Sequence, residues 1–162
     1  MKIVITGGPG GGKTTALDLF RRELSGEVAV IPESATAVFS SGVRRDDRPE
    51  VIKAIQKTIY YHQKNIEYIY KCQNNFELYL CDRGSLDGLA YWPGDEESFF
   101  KEMQTSLDEE MGKYDAIIFF ETAAISGQDI SSNNPYRTET SSKAIELDQK
   151  LKSIWSRHPR FY

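Results

Sequence analysis

The sequence predicts an α/β fold in which a parallel sheet lies between two layers of helices, a three-layer α/β/α sandwich. Apolar runs typical of strands alternate with helical patterns along the chain, the order that produces a parallel sheet. The run Ala116–Phe120 is apolar at every position, as expected of a central strand that is buried on both faces. With 162 residues and no linker-like segment, we expect one domain spanning residues 1–162.

The first half of the chain contains two predicted strands and two predicted helices. The strand Lys2–Thr6 leads through a glycine-rich turn into a helix from about Lys13 to Leu24. The apolar run Val28–Ile31 forms the second strand. A stripe of five isoleucines and one histidine then recurs three or four residues apart, which predicts one long amphipathic helix that ends near Asn75. Its members are Ile52, Ile55, Ile59, His62, Ile66 and Ile69.

The second half continues the alternation. Phe76–Cys81 is the third predicted strand, a helix is expected to begin near Ser85, and Glu96–Met111 has the pattern of one surface helix. Ala116–Phe120 is the fourth strand. These elements extend the βα order to the end of the sheet.

The C-terminal quarter begins with a polar segment, residues 122–140, that is rich in Ser, Asn and Gly and has the composition of a lid. A last helix is predicted from about Glu139 to Trp155. The sequence stops at Tyr162, where a fifth strand would begin. We therefore expect either that this edge of the sheet is short or that the final strand or strands of the fold are missing.

Composition and charge limit the partners and the cellular location that we expect. Hydrophobic residues make up 40% and charged residues 27% of the chain, as in ordinary globular proteins. The net charge of -4 argues against a nucleic-acid partner. No apolar run is long enough for a membrane span, and we expect a cytoplasmic protein. Cys72 and Cys81 are expected to be buried, reduced thiols.

Residues 7–15, Gly-Gly-Pro-Gly-Gly-Gly-Lys-Thr-Thr, match the phosphate-binding loop pattern G-x-x-x-x-G-K-[ST] at a strand-to-helix turn. Glycines let the backbone curl there and direct successive N–H groups at a phosphate. Lys13 is expected to reach the β- and γ-phosphates, Thr14 to offer its hydroxyl to Mg²⁺, and Thr15 to contact the α-phosphate. The predicted nucleotide-binding residues are Gly8, Gly10, Gly11, Gly12, Lys13, Thr14 and Thr15.

Magnesium requires a carboxylate at the end of a neighbouring strand, and two residues qualify, Asp82 and Glu121. We favour Asp82, because Arg83 follows it and would stabilise negative charge on a phosphoryl group in transfer. In the alternative interpretation Asp82 caps the following helix and Arg83 is a structural clamp on a loop.

These segments occur in the order seen in P-loop nucleoside and nucleotide kinases. The chain resembles the AAA-like ATP-binding domains related to ribosylnicotinamide kinases and, more distantly, deoxynucleoside and thymidylate kinases. The resemblance rests on the phosphate-binding loop, Pro32-Glu33, Asp82-Arg83-Gly84 and the segment 135–139. Deoxynucleoside kinases have Glu-Arg-Ser where this chain has Asp82-Arg83-Gly84, so their substrate is not carried over.

The resemblance implies three catalytic roles besides that of Lys13. Glu33 stands where deoxynucleoside kinases have the base for the acceptor hydroxyl, Arg83 matches the arginine after the third strand, and Arg137 matches the lid arginine. In the alternative interpretation Glu33 caps the helical turn that begins at Ser34.

Two further groups could contact an acceptor. Arg44, Arg45 and Arg48 would suit an anionic one, but the interleaved Asp46 and Asp47 favour a solvated loop.

The second group lies on the long helix. The resemblance implies a base-reading glutamine there, with Gln56 and Gln63 as candidates. His62 lies within the isoleucine stripe and is expected to be a partly buried core residue.

The pattern as a whole predicts a Mg²⁺- and ATP-dependent kinase that phosphorylates a nucleoside-like or other small hydroxyl acceptor, with GTP left open as the donor. The alternative is a slow regulatory ATP- or GTP-binding NTPase that acts through protein partners. A polynucleotide-end kinase is disfavoured by the acidic charge balance.

Overall fold

The structure, a computed structural model, describes residues 1–24, 26–73, 75–126 and 141–162. Its four strands are β1 (Lys2–Thr6), β2 (Val28–Ile31), β3 (Leu78–Asp82) and β4 (Ala116–Phe119). They form one parallel sheet in the order β2-β3-β1-β4. The carboxyl ends of β1 and β3 are therefore neighbours, and residues that follow these strands meet at one edge of the sheet.

Helices connect the strands. The segments are α1 (Lys13–Glu23), α2 (Ser34–Ser40), α3 (Pro49–Gln73), α4 (Glu96–Met103), α5 (Leu107–Met111) and α6 (Ser141–Trp155), with 3₁₀ turns at Asp87–Tyr91 and Ala123–Ser126.

Two apolar clusters cover the two faces of the sheet, as the three-layer prediction requires. Val4 and Cys81 point into the larger cluster with Trp155, whereas their neighbours Ile5 and Leu80 point to the opposite face, where α1 packs. This alternation follows from the two-residue period of a strand. Both faces of the sheet are therefore buried.

Two predicted helices differ in the structure. The single helix expected over Glu96–Met111 is divided into α4 and α5, because Gln104 adopts a left-handed conformation (φ 52°) and Ser106 begins a new helix with a capping box to Glu109. The helix expected near Ser85 is instead the 3₁₀ turn Asp87–Tyr91.

The C-terminal residues lie parallel to β4 and make an isolated bridge to it. Phe161 bridges Ile117, and the N–H of Phe119 donates to the carbonyl of Tyr162 at 2.8 Å. These contacts lie where the fifth strand was expected, but they amount to a bridge and not to a strand.

Of the two cysteines, only Cys81 is buried, and its burial raises the pKa of its thiol. The prediction that Cys72 is buried is wrong, since this residue lies on the exposed side of the amphipathic helix α3. No helix among the described residues combines the length and apolarity needed to cross a lipid bilayer.

Candidate active site

The phosphate-binding loop lies between β1 and α1 and takes the backbone conformation that its glycines allow. Gly7, Gly10 and Gly12 have φ values of 131°, 77° and 82°, in the region that residues with a Cβ rarely adopt. A Cβ on Gly7 would lie 1.9 Å from the carbonyl oxygen of Phe120. Close approach to the end of β4 therefore requires glycine at position 7.

Helix α1 begins without a side-chain cap on its N-terminal N–H groups. Gly12 is its N-cap and provides no side-chain cap, and the first turn contains no acidic residue. The N–H groups of a first helical turn and the positive end of the helix dipole favour an anion at such a position. Thr14 and Thr15 are exposed in this first turn.

Lys13 is folded back onto the loop. Its ammonium group donates to the carbonyl oxygens of Gly7 (3.0 Å) and Gly8 (2.6 Å), and only 3% of the residue is exposed. The ammonium group therefore lies at the loop where it is predicted to bind the nucleotide phosphates.

Gly8 contacts helix α6, and sequence analysis did not foresee this. Its N–H donates to Asp148 Oδ1 at 2.8 Å, and the same oxygen accepts from the N–H of Thr122 at 2.9 Å. The hydroxyl of Thr122 donates to the carbonyl of Pro9. In this structure the Gly8 N–H is thus committed to Asp148. The sequence signal was a carboxylate on the apolar face of a helix, next to Leu147.

Asp82 is the last residue of β3 and pairs in register with Ile5 of β1, which brings its carboxylate to the phosphate-binding loop. Burial, followed by the nearby Glu33 carboxylate, raises the pKa of Asp82 to about 6, although Arg83 and Lys13 oppose the shift. The charged form of Asp82 is therefore held at a free-energy cost.

Glu121, the other candidate metal ligand, points elsewhere. Its carboxylate forms an ion pair with Lys152 of α6, and its side chain is 58% exposed. Lys13 and Arg83 both lower the pKa of Asp82, so this carboxylate lies within electrostatic reach of the two cations.

Glu33 occupies the N-cap position of α2 but makes no capping hydrogen bond to the helix backbone. Its carboxylate instead accepts from Arg83 Nε at 3.3 Å and from the hydroxyl of Thr36. The structure therefore does not support the alternative interpretation, in which the Glu33 side chain caps α2.

Arg83 joins these groups. It has a left-handed backbone (φ 80°), unusual for a residue with a Cβ, and its N–H donates to the carbonyl of Ile5 at 3.0 Å. Its guanidinium donates to the carbonyl of Gly7, to Glu33 and to Asp87. Burial lowers the pKa of Arg83, but Asp87 and Glu33 more than compensate, so the pKa is raised. The positive charge is thus firmly held beside the loop.

A cleft of about 860 Å³, part of it open to solvent, extends from Pro9 of the loop between α2, α3 and the turn Asp87–Tyr91. Its wall combines aromatic and aliphatic groups with a few polar ones. They include Glu33, Phe39, Arg45, Gln56, Ile59, Tyr60, Gln63, Arg83 and Tyr91.

The two candidate base-reading glutamines have different surroundings. Gln63 accepts from Ser34 at 2.7 Å and donates to Glu67 at 2.8 Å and to the carbonyl of Arg83 at 3.3 Å. Gln56 is also buried and lines the cleft, but its amide makes no hydrogen bond within the part of the chain that the structure describes. Gln56 therefore has the free polar group of the pair.

The three arginines that could meet an anionic acceptor, Arg44, Arg45 and Arg48, have different surroundings. Arg48 forms an exposed ion pair with Asp46 at 2.7 Å, as expected of a solvated loop. Arg45 instead lies 4.8 Å above the ring of Phe39 and lines the cleft. Arg44 is exposed.

His62 is half-buried, with Nδ1 2.9 Å from the hydroxyl of Ser34. Arg137 and most of the lid-like segment lie outside the described residues.

The donor set at the loop fits a magnesium ion. Thr14 and Asp82 provide a hydroxyl and a carboxylate, and Mg²⁺ characteristically takes one or two protein oxygens while phosphates and water complete its shell. Residues 1–24, 26–73, 75–126 and 141–162 contain no cluster of three or more acidic, histidine or cysteine side chains suited to a metal. A site built by protein ligands alone is thus not found among them.

Comparison with solved structures shows the fold. Deoxyadenosine kinase from M. mycoides with bound dATP superposes with a TM-score of 0.52 at 16% identity, over 100% of this chain and 89% of that one. The same enzyme with the products dCMP and a flexible dCDP gives a TM-score of 0.63 at 16% identity, over 100% and 88%. The parallel α/β architecture is thus that of a P-loop kinase.

A search of curated protein sequences found no match. A family model described as AAA domain matches residues 2–162. Because this match covers nearly the whole chain, the protein belongs to the AAA domain family.

Proposed function

We propose that this protein is a P-loop kinase that transfers the γ-phosphoryl group of ATP to a hydroxyl of a small, nucleoside-like acceptor. The observation that carries the proposal is the position of Arg83, which bonds the phosphate-binding loop at Gly7 and, at the mouth of the cleft, Glu33. One cation thus spans the donor site and the acceptor site. The whole chain, residues 1–162, acts as a single nucleotide-binding domain.

The nucleotide phosphates bind at the start of α1. The N–H groups of Gly10, Gly11 and Gly12 face them, Lys13 moves from the loop carbonyls onto the β- and γ-phosphates, and Thr15 contacts the α-phosphate. Gly8 shapes the loop through Asp148.

Thr14 and Asp82 would hold a magnesium ion, which would supply positive charge to offset that of the nucleotide phosphates. The raised pKa of Asp82 supports this role, because a cation nearby would stabilise the carboxylate that burial disfavours.

The chemistry uses the residues at the mouth of the cleft. The acceptor hydroxyl oxygen forms a bond to the γ-phosphorus, and the bond from that phosphorus to the β–γ bridging oxygen breaks, so ADP leaves. Glu33 orients the hydroxyl and takes its proton. Lys13 and Arg83 stabilise the charge on the phosphoryl group in transfer, and Arg137 closes over the phosphates.

The acceptor lies in the cleft. Tyr91 and Phe39 offer flat apolar surfaces, and the free amide of Gln56 is suited to hydrogen bonding with a polar ring edge. A planar, heteroaromatic acceptor fits this lining. Nicotinamide riboside belongs to this class, and the sequence resemblance to domains related to ribosylnicotinamide kinases makes it one of the acceptors to test.

The test is release of nucleoside diphosphate from Mg·ATP and Mg·GTP, with and without nicotinamide riboside, ribo- and deoxynucleosides and nucleoside monophosphates. We expect one acceptor to stimulate release at least tenfold. Tight nucleotide binding with slow release that no acceptor stimulates would contradict the kinase. That result would favour a regulatory NTPase that acts through protein partners.

A matched pair of variants sharpens the test. Glu33→Gln is expected to abolish acceptor-dependent release and to preserve nucleotide binding. Glu121→Gln is the control, because this carboxylate also follows a strand but pairs with Lys152 on the surface. Equal losses in both variants would argue against a role for Glu33 in transfer.

A further inference from the structure

Asp87 is a buried carboxylate with no role in the proposed chemistry. It begins the 3₁₀ turn beside the cleft and is 7% exposed. Its Oδ1 accepts from Gly84 N (3.2 Å) and Trp155 Nε1 (2.9 Å), and its Oδ2 from Thr6 Oγ1 (2.7 Å) and Arg83 Nη1 (3.2 Å). Four donors satisfy the capacity of a carboxylate.

These donors come from three separate parts of the fold. Thr6 ends β1 immediately before the phosphate-binding loop, Gly84 follows β3, and Trp155 ends α6. The parts are tightly packed, since a Cβ on Gly84 would lie 2.6 Å from the Trp155 ring. The Asp87 carboxylate is therefore held firmly from several sides.

Arg83 needs such an anchor. Its long side chain would lose much conformational freedom in any single geometry, so defined placement requires fixed acceptors. Under the proposed function, two of its acceptors change when substrates bind, since Gly7 belongs to the phosphate-binding loop and Glu33 turns to the acceptor hydroxyl. Asp87 also borders the cleft, but four donors already occupy its carboxylate oxygens, so its contact with Arg83 remains when substrates bind.

We propose that Asp87 is the positioning residue of Arg83, an inference that rests on the proposed function. It holds the guanidinium at the γ-phosphoryl position through the Oδ2 contact and connects that position to α6 through Trp155. The order of electrostatic effects on Arg83 agrees, because Asp87 raises its pKa more than Glu33 does.

A double-mutant cycle of Asp87→Asn and Arg83→Ala tests this coupling by binding, without an acceptor. Calorimetry with Mg²⁺ gives the preference for the non-hydrolysable ATP analogue AMPPNP over ADP, which reports contacts to the γ-phosphate. We expect each single variant to lower that preference about tenfold. If Asp87 acts through Arg83, the double variant equals Arg83→Ala within about twofold. Additive losses would overturn the inference.

Glu110→Gln is the matched control. Glu110 is also a fully buried carboxylate with four donors, but none of them contacts the phosphate-binding loop; the donors are Tyr60, Ser85, Thr105 and Lys113. We expect this variant to unfold at a lower temperature and to keep the AMPPNP preference. A similar loss of preference here would mean that Asp87 acts only through general stability.

Thr6→Val provides a milder test if Asp87→Asn does not fold. It removes one donor to Oδ2 and keeps the shape of the side chain. We expect a two- to fivefold loss of preference that disappears in the Arg83→Ala background; a loss of the same size in both backgrounds overturns the inference. Absence of nucleotide binding by the unmodified protein would instead overturn the proposed function itself.

Discussion

Lys13 and Arg83, which are distant in the sequence, donate to the same carbonyl oxygen, that of Gly7. Lys13 reaches it from the start of α1, and Arg83 reaches it from the end of β3. Hydrogen bonds from a cation to a phosphate oxygen are stronger than those to a neutral carbonyl. A bound nucleotide is therefore expected to draw both cations away from Gly7.

Removal of Lys13 should mainly affect ATP binding, whereas removal of Arg83 should mainly affect the rate of transfer. We predict that Lys13→Met weakens Mg·ATP binding at least 100-fold, because this charge meets both terminal phosphates. Arg83→Ala should weaken binding by no more than about tenfold but lower the acceptor-dependent kcat by at least 100-fold, because its effect grows with charge in transfer. Calorimetry and steady-state kinetics separate the two quantities. A large loss of ATP affinity in Arg83→Ala with an unchanged kcat would contradict the assignment.

Gln56 and Gln63 provide a second contrast. Gln56→Leu removes an amide without a partner among the described residues, so we predict a melting temperature within about 1 °C of the original and an acceptor KM raised at least tenfold. Gln63→Leu leaves Ser34 and Glu67 without their shared partner and should cost about 1–3 kcal/mol of stability. Thermal unfolding and acceptor kinetics measure both effects. An unchanged KM in Gln56→Leu would exclude this residue from acceptor recognition.

Asp82 predicts an unusual dependence of stability on pH. Its pKa is raised from 3.8 to about 6, so above pH 6 the folded protein holds a charge that burial disfavours, and below pH 3.8 this cost is absent. Asp82→Asn should therefore stabilise the nucleotide-free protein at pH 8 by on the order of 2 kcal/mol, a rise of several degrees in melting temperature. The gain should shrink as the pH falls from 6 to 4.

Calorimetric melting curves at several pH values check this prediction. The same variant should lose most of the stabilisation that Mg·ATP gives the original protein, because a neutral amide is a poor magnesium ligand. An equal gain at pH 4 and pH 8 would show that the charge of Asp82 is not its cause.

Two glycines of the loop should respond differently to alanine. A Cβ on Gly7 would collide with the carbonyl of Phe120 at 1.9 Å, so Gly7→Ala is predicted to lower the melting temperature by more than 10 °C or to prevent folding. A Cβ on Gly12 meets nothing within 4 Å, and only its φ of 82° opposes alanine. Gly12→Ala should therefore cost about 1–2 kcal/mol. Comparable losses of melting temperature in the two variants would contradict this view of the loop.

Local signals predicted most of the fold. The strands were predicted from short apolar runs, and α3 was predicted from the spacing of its isoleucines. Both patterns can be read from the sequence, because they depend only on which side chains along a segment are buried. The division of α4 from α5 was missed, since the apolar pattern continues across Gln104. The signal was nevertheless present, in the Ser106 and Glu109 capping box.

For the candidate site, the phosphate-binding loop pattern pointed to Lys13, the end of the third strand to Asp82, and the family resemblance to Glu33 and Arg83. All four follow strands of one parallel sheet, whose carboxyl ends share an edge. The tertiary structure alone decided which partners they have: Asp87 for Arg83, Asp148 for Gly8, and a different environment for each glutamine of α3. The physical reason is distance along the chain. Such hydrogen bonds join residues that no local period relates, and their geometry exists only once the helices pack on the sheet.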